Sequence, residues 1–404
     1  MKNHKDYNLF FARLYCVVVC FIMPLIGITQ AEEITKASFI TRIPFTLLDG
    51  GTILLKATVA NSPDSLNFVL DTGCGGISLD STTAERLQLD EIKTNKNIVG
   101  LGQKKKGSFI LHQTLYLKNL AVDSLDFHIN DYNFLSLAKG VKVDGIIGYS
   151  FLKRFIVKVD YDNQQIEVWK PGEIKYPKGG YALGLYLDNM PMFEANVRDK
   201  TAVKTKFFFD TGADVSFMIS EKFVKDSSFL KTNKRAIAVP AEGIGGGCDM
   251  KFTTVAKLEV GPYTFKRVPS FIFDDKYNVT RYPTLGGIIG NDLLHRFNLI
   301  INYPYAEIYL TPNSYFNEPF DYVYTGFKIF TTNGQTFVDN IVKDSPAEKA
   351  GLQNGDVLLG VNNNFSNNVD QYKNEISASH ASLKMSILRG SQLKTIVVSP
   401  QSIL

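Results

Sequence analysis

A hexapeptide ending in Asp-Thr-Gly occurs twice, and that repetition leaves the chain few ways to fold. Phe68-Val69-Leu70-Asp71-Thr72-Gly73 returns as Phe207-Phe208-Phe209-Asp210-Thr211-Gly212. Each copy runs an apolar strand directly into a carboxylate, a hydroxyl and a glycine, the form of a loop that presents an acid from inside a core. One such tripeptide is an ordinary turn, because aspartate and glycine are common turn residues. Two in matched surroundings predict a duplicated lobe. Gly145-Ile146-Ile147-Gly148 repeats as Gly287-Ile288-Ile289-Gly290, and Gly100-Leu101-Gly102 corresponds to Gly243-Ile244-Gly245. The shared interval of about 140 residues is too long for a solenoid unit and fits a doubled domain.

Each Gly-Ile-Ile-Gly is followed by an apolar helix-like turn and an alternating strand pair. In the first half these are Phe151 to Phe155, then Ile156 to Tyr161 and Gln165 to Val168. In the second they are Leu293 to Phe297, then Leu299 to Tyr303 and Glu307 to Leu310. Period and turn residues predict β-hairpins. Long segments of helical period are nearly absent, so both halves are expected to be mostly β. A Pro/Gly-rich join from Lys170 to Gly180 places the lobes at residues 36–176 and 180–314.

Past Pro312 the pattern changes. Val338 to Val342 reads as a strand, Ser345 to Leu352 as a short helix, and Gly355 to Asn362 as a turn into a strand. Ser345, Pro346 at the first helical position and Glu348 form a capping box. A second helix is expected over Val369 to Ile376, with closing strands at Leu383 to Leu388 and Thr395 to Val398. Residues 320–400 thus form a separate α+β module.

The whole chain, 404 residues with 45% hydrophobic and 21% charged, is long enough for several cores. Its formal charge of +4 is not gathered on one face, which argues against a nucleic-acid partner. Lys2, Lys5 and Arg13, then the apolar run Leu14 to Ile28, then Thr29-Gln30-Ala31 read as a signal peptide over residues 1–31. An uncleaved anchor is the weaker reading, since the run is shorter than the roughly 20 residues of a spanning helix and contains Pro24 and Gly27. No stable membrane span remains after cleavage, so the mature protein is expected to be exported, periplasmic or secreted. Cys74 and Cys248 are expected as two buried free thiols, with a single bridge as the alternative. His112, His128, His295 and His380 are scattered, and neither a metal nor a cofactor is expected.

Two aspartates on matched loops make sense when the lobes pack about a pseudo-twofold axis that brings the loops together. Like charges about 3 Å apart cannot both ionise, so the pair shares a proton and supplies a base and an acid together. Water held between them can be deprotonated and directed at a peptide carbonyl. Thr72 and Thr211 can bond across the axis, and Gly73 and Gly212 permit the close approach.

This combination resembles the retropepsin-like and pepsin-like aspartic proteases over about residues 38 to 312. Both lobes lie in one chain, as in pepsins, while Asp210-Thr211-Gly212-Ala213-Asp214 and Ile288-Ile289-Gly290-Asn291-Asp292 are closer to the retroviral enzymes. The resemblance implies a bilobal β-barrel pair with Asp71 and Asp210 as the catalytic dyad. Thr72, Gly73, Thr211 and Gly212 would support it, and Asp214 would hold substrate main chain. Gly100, Gly102, Gly243 and Gly245 would belong to flap-like hairpins over a substrate cleft. Cys74 and Ala213 stand where pepsins carry Ser or Thr, so the dyad is expected to titrate higher. Asn291 replaces the arginine usual in retroviral enzymes. The C-terminal module resembles a PDZ domain of the bacterial protease-associated kind. Gly326 and Phe327 would lie in its carboxylate loop, Ile329 on the strand that a peptide joins, and Tyr372 and Ile376 on the helix walling the pocket. The expectation is an exported aspartic endopeptidase acting on polypeptide; a non-catalytic peptide binder using the cleft and PDZ domain is the alternative.

Overall fold

Strand Leu66–Leu70 is buried along its whole length, as a strand covered on both faces must be, and it pairs in parallel with Gly145–Ile147. The computed structural model in which this is seen describes residues 35–60, 62–99, 104–243, 246–379 and 381–402; the expected signal peptide lies outside them. Around this central pair, six strands follow in the order Ile53–Val59, Leu66–Leu70, Gly145–Ile147, Ile77–Asp80, Leu120–Asn130 and Lys104–Leu117. Pairing of Thr58 with Tyr116 and of Val59 with Leu115 closes them into a barrel.

The second lobe repeats the ring with Met190–Arg198, Ala202–Asp210, Gly287–Gly290, Phe217–Ser220, Tyr263–Phe273 and Gly246–Val260. Here Asn196 opposite Glu259 makes the closure. Closing the sheet removes its edges, so neither barrel offers its inner strands to foreign pairing.

The hairpins expected after each Gly-Ile-Ile-Gly form, and they join the lobes. Ile156–Asp160 lies antiparallel to Phe297–Asn302, with Ile156 opposite Asn302 and Val159 opposite Leu299. That seam centres a six-stranded sheet drawn from both lobes, and one apolar core runs from barrel to barrel through Val157, Val159, Leu299 and Ile301. Three short helices were not legible in the period: Ser81–Arg86, Glu221–Ser227 and Asn133–Lys139. The last ends where Gly140 takes the left-handed conformation, at φ 64°.

The C-terminal module is a five-stranded antiparallel sheet in the order Lys328–Thr332, Gln335–Asp339, Val357–Val361, Leu383–Arg389 and Gln392–Val398. It has its own core around Val338, Leu358, Met385 and Val398. The strand expected at 338–342 lies at Gln335–Asp339 instead. Asn340 turns at a positive φ, and the Ile341 N–H donates to the Asn354 side chain, which takes the chain out of the sheet. Ser345 caps Pro346–Ala350 by accepting from the Glu348 N–H at 3.2 Å. The return arm of the expected box reaches the Asp344 N–H, one residue earlier than the motif requires.

Arg389 holds this module together from within. Its Nε and Nη2 donate to the two Asp356 oxygens at 2.6 and 2.7 Å. Burial pushes the Asp356 carboxyl up, but the Arg389 bonds outweigh it and hold the group below the usual carboxylate range. With the folded value depressed, this stabilisation is full above the unfolded value of about 3.9 and is lost as pH falls through the folded one. Asp356→Ala should destabilise the module by about 2 kcal/mol, the scale of losing hydrogen bonds to a charged group whose Arg389 partner still reaches water. Hydrogen exchange over Val357–Val361 and Leu383–Arg389 checks this, with the barrels as internal reference.

Candidate active site

Both Asp-Thr-Gly loops leave the ends of buried barrel strands and meet on the axis between the lobes. The parallel pairing inside each lobe sets their height: the Asp71 N–H donates to Ile147 O at 2.9 Å, and Asp210 stands opposite Gly290. Thr72 then crosses the axis, its hydroxyl donating to Phe209 O at 2.7 Å while accepting from the Thr211 N–H at 3.0 Å. Thr211 reciprocates, accepting from the Thr72 N–H at 3.1 Å and donating to Leu70 O at 3.3 Å. Four bonds of one pattern, related by the pseudo-twofold, fix the two loops relative to each other.

The glycines make room for the carboxyls. A Cβ on Gly73 would overlap the Asp210 carboxyl, and one on Gly212 would overlap that of Asp71. Each glycine is therefore packed on the opposite lobe's acid, and no larger residue fits.

The carboxyls are not equivalent. Asp71 is 8% exposed, and burial followed by the neighbouring Asp210 charge pushes it well above the usual carboxylate range. Burial also raises Asp210, but backbone N–H groups of Gly212 and Ala213 donate to its Oδ1 at 2.9 and 3.0 Å, and Asp71 donates to it as well. The Gly73 N–H donates likewise to Asp71 Oδ1 at 2.6 Å, burial outweighs these bonds at both acids, and the coupled pair is raised together, so the two share a proton. The upward direction anticipated from Cys74 and Ala213 has burial as its chief cause. Tyr303, buried with its ring 6.0 Å from Tyr149, stays a phenol through burial and the field of both aspartates.

Asp214 is engaged rather than open. Lys139 Nζ lies 2.5 Å from Asp214 Oδ2, and Thr52 bridges the two, donating to Asp214 Oδ1 and accepting from Lys139, both at 2.7 Å. Lys139 is 4% exposed against 41% for Asp214, so a buried cation of the first lobe clasps a partly open carboxylate of the second. Asn291, fully buried, donates to Gly51 O at 2.6 Å and accepts from Tyr161, so it also spans the lobes. Sequence reading missed Thr52 and Lys139; neither sits in a motif.

Both flap-like hairpins are present as paired strands, Ile92–Val99 with Lys104–Leu117 and Ile237–Gly243 with Gly246–Val260. Gly243 lies opposite Gly246, while Gly100, Gly102 and Gly245, like His380, lie outside the described residues. Cys74 and Cys248 are free and half-buried rather than fully buried, and burial pushes the Cys74 thiol up to about 12.

In the C-terminal module Gly326 is left-handed at φ 80°, its carbonyl accepting from the Val342 N–H, with Phe327 half-buried after it. Ile329 is buried on the edge strand, and Ile376 is partly buried on the facing helix. Tyr372 is 0% exposed, and its hydroxyl is spent on Leu359 O and the Asn367 N–H. It lies in the module's core, on the helix expected to wall the pocket.

Comparison with known proteins agrees with this anatomy. Residues 55–151 and 193–293 match the family model described as aspartyl protease, and residues 337–389 match that of the PDZ domain. The chain is 34% identical over 119 residues to a retrovirus-related Pol polyprotein from transposon 412 of Drosophila melanogaster, covering 28% of this chain and 9% of that protein. It is also 38% identical over 55 residues to the periplasmic pH-dependent serine endoprotease DegQ of Escherichia coli, covering 14% of this chain and 12% of that one. The chain thus spans about a tenth of the length of these curated relatives.

Proposed function

The chain belongs to the aspartyl protease family, in two lobes with a PDZ domain behind them, and from that premise we propose that it is an exported aspartic endopeptidase cleaving polypeptide. The observation that carries this reading is the pair of carboxyls meeting on the axis, both raised by burial and held together by reciprocal threonines. In the proposed reaction Asp210 takes a proton from a water held between the acids. The water oxygen bonds to the peptide carbonyl carbon while Asp71 gives its proton to the carbonyl oxygen. Collapse of the tetrahedral adduct re-forms a carbonyl, breaks the C–N bond and returns a proton to Asp71, and Asp210 passes the water's proton to the departing nitrogen. Export rests on the apolar N-terminal run ahead of Ala31, and the PDZ domain is read as a binder of polypeptide ends.

The test is cleavage of an unfolded protein between about pH 3 and 8 by wild type and by Asp210→Asn. Both carboxyls are raised, so the singly protonated dyad persists above the ordinary carboxylate range, and activity should peak above about pH 4. The acid limb reports Asp210 gaining a proton, the alkaline limb Asp71 losing one. Equal, non-zero cleavage by the two proteins would sink the dyad, and no cleavage at any pH would favour a peptide binder.

A further inference from the structure

The edge strand Lys328–Thr332 and the helix Val369–Ala378 pack against each other and form the two walls of the PDZ groove. Among the described residues that strand pairs only with Gln335–Asp339, so its other side is the sheet edge that an added peptide strand would use. Helix Asn133–Lys139 of the first lobe is seated there. It packs along Lys328–Thr332, and Lys373 of the PDZ helix donates to Ala138 O at its C-terminal end. Val369, one turn before Lys373 on the same face, lies so close to Gly140 that a Cβ on that glycine would overlap its Cγ1. One helix therefore touches both walls.

The seated helix leads to the cleft. Lys139, next to the carbonyl that Lys373 grips, is the residue that clasps Asp214, four positions after Asp210. The PDZ helix also packs on the turn Asp49–Gly51, whose Gly51 carbonyl receives Asn291 of the second lobe. A peptide strand and the helix cannot share the same edge.

We propose that a polypeptide C-terminus entering the PDZ groove displaces helix Asn133–Lys139, and that the displacement releases Asp214 from Lys139 to hold substrate. The lobe helix is the groove's resident ligand, and the free carboxylate of another polypeptide, received at the Gly326 loop, is its competitor. This rests on the endopeptidase reading, to which it adds how the same cleft is switched. Coupling is reciprocal: whatever loosens the helix favours peptide, and peptide loosens the helix.

The experiment uses the full chain, a short synthetic peptide ending in valine with a free carboxylate, and the same peptide amidated. The carboxylate peptide should raise hydrogen exchange across Asn133–Lys139 and the cleavage rate of unfolded protein roughly five-fold or more, the low end of allosteric coupling. The amide should do neither. Gly140→Val places a wedge on the lobe side of the contact and strains the left-handed end of the lobe helix, leaves the PDZ side chains unchanged, and should raise both readouts without peptide. It should also tighten peptide binding, because the competitor is gone. Lys373→Ala is the second variant if the wedge prevents folding. Failure of the carboxylate peptide to bind overturns the proposal. So does binding that leaves exchange and rate unchanged, or a Gly140→Val protein with raised exchange and wild-type rate. Repeating the exchange measurement in Asp210→Asn separates the two ideas: helix release there needs no chemistry, so it stands or falls apart from the endopeptidase reading.

Discussion

Asp210→Asn should reduce peptide hydrolysis by about 10⁴-fold or more while the fold stays intact, the scale of removing one member of a unit that acts together. Asparagine keeps an oxygen to accept from the Gly212 and Ala213 N–H groups, which now donate to Asp210 at 2.9 and 3.0 Å. What it removes is the charge that, in the proposed reaction, accepts a proton from water. Asp71→Asn should be as severe for the opposite reason: burial and Asp210 raise this carboxyl, and the variant takes away the proton that the proposed reaction gives to the carbonyl oxygen. The double variant should be no worse than either single one, because neither carboxyl works alone. Cleavage of unfolded protein at the pH optimum, with thermal unfolding as a control, measures all three; additive losses would contradict a shared proton.

Gly212→Ala is the second large effect, and it acts through shape alone. The added methyl would stand on the Asp71 carboxyl, so either that side chain leaves its position or the loops part. A displacement of about 1 Å at reacting atoms is enough for a loss near 10²-fold. The overpacking should also destabilise the lobe interface by about 1–3 kcal/mol. Gly75→Ala is the matched control, since a Cβ there would meet nothing nearer than Asn189 at 3.6 Å, ordinary contact. Wild-type turnover in Gly212→Ala would mean that the loops do not approach as described. Thermal unfolding and kcat measured on the same preparations separate the packing loss from the catalytic one.

Much of the fold could be read from local pattern because the pattern occurs twice. Buried strands ahead of Asp71 and Asp210, the Gly-Ile-Ile-Gly strands beside them and the hairpins that follow each carry their own period, and each appears where expected. Elements without a period of their own were harder. Asn133–Lys139 is two turns long, too short for a face to show, and the strand expected at 338–342 was displaced because a turn at Asn340 is set by Asn354, outside the strand.

The sequence by itself determined the duplicated lobe, the two acids and the separate module behind them. These depend on residues adjacent in the chain, whose alternation, turns and caps act over a few positions. Only the tertiary structure decided that burial raises both acids, that Asp214 is held by Lys139 and Thr52, and that a helix of the first lobe packs along the PDZ edge strand. Those outcomes come from burial and from charges brought together by folding. A lysine reads as solvated until the fold buries it, and its partner is known only once both lobes are in place.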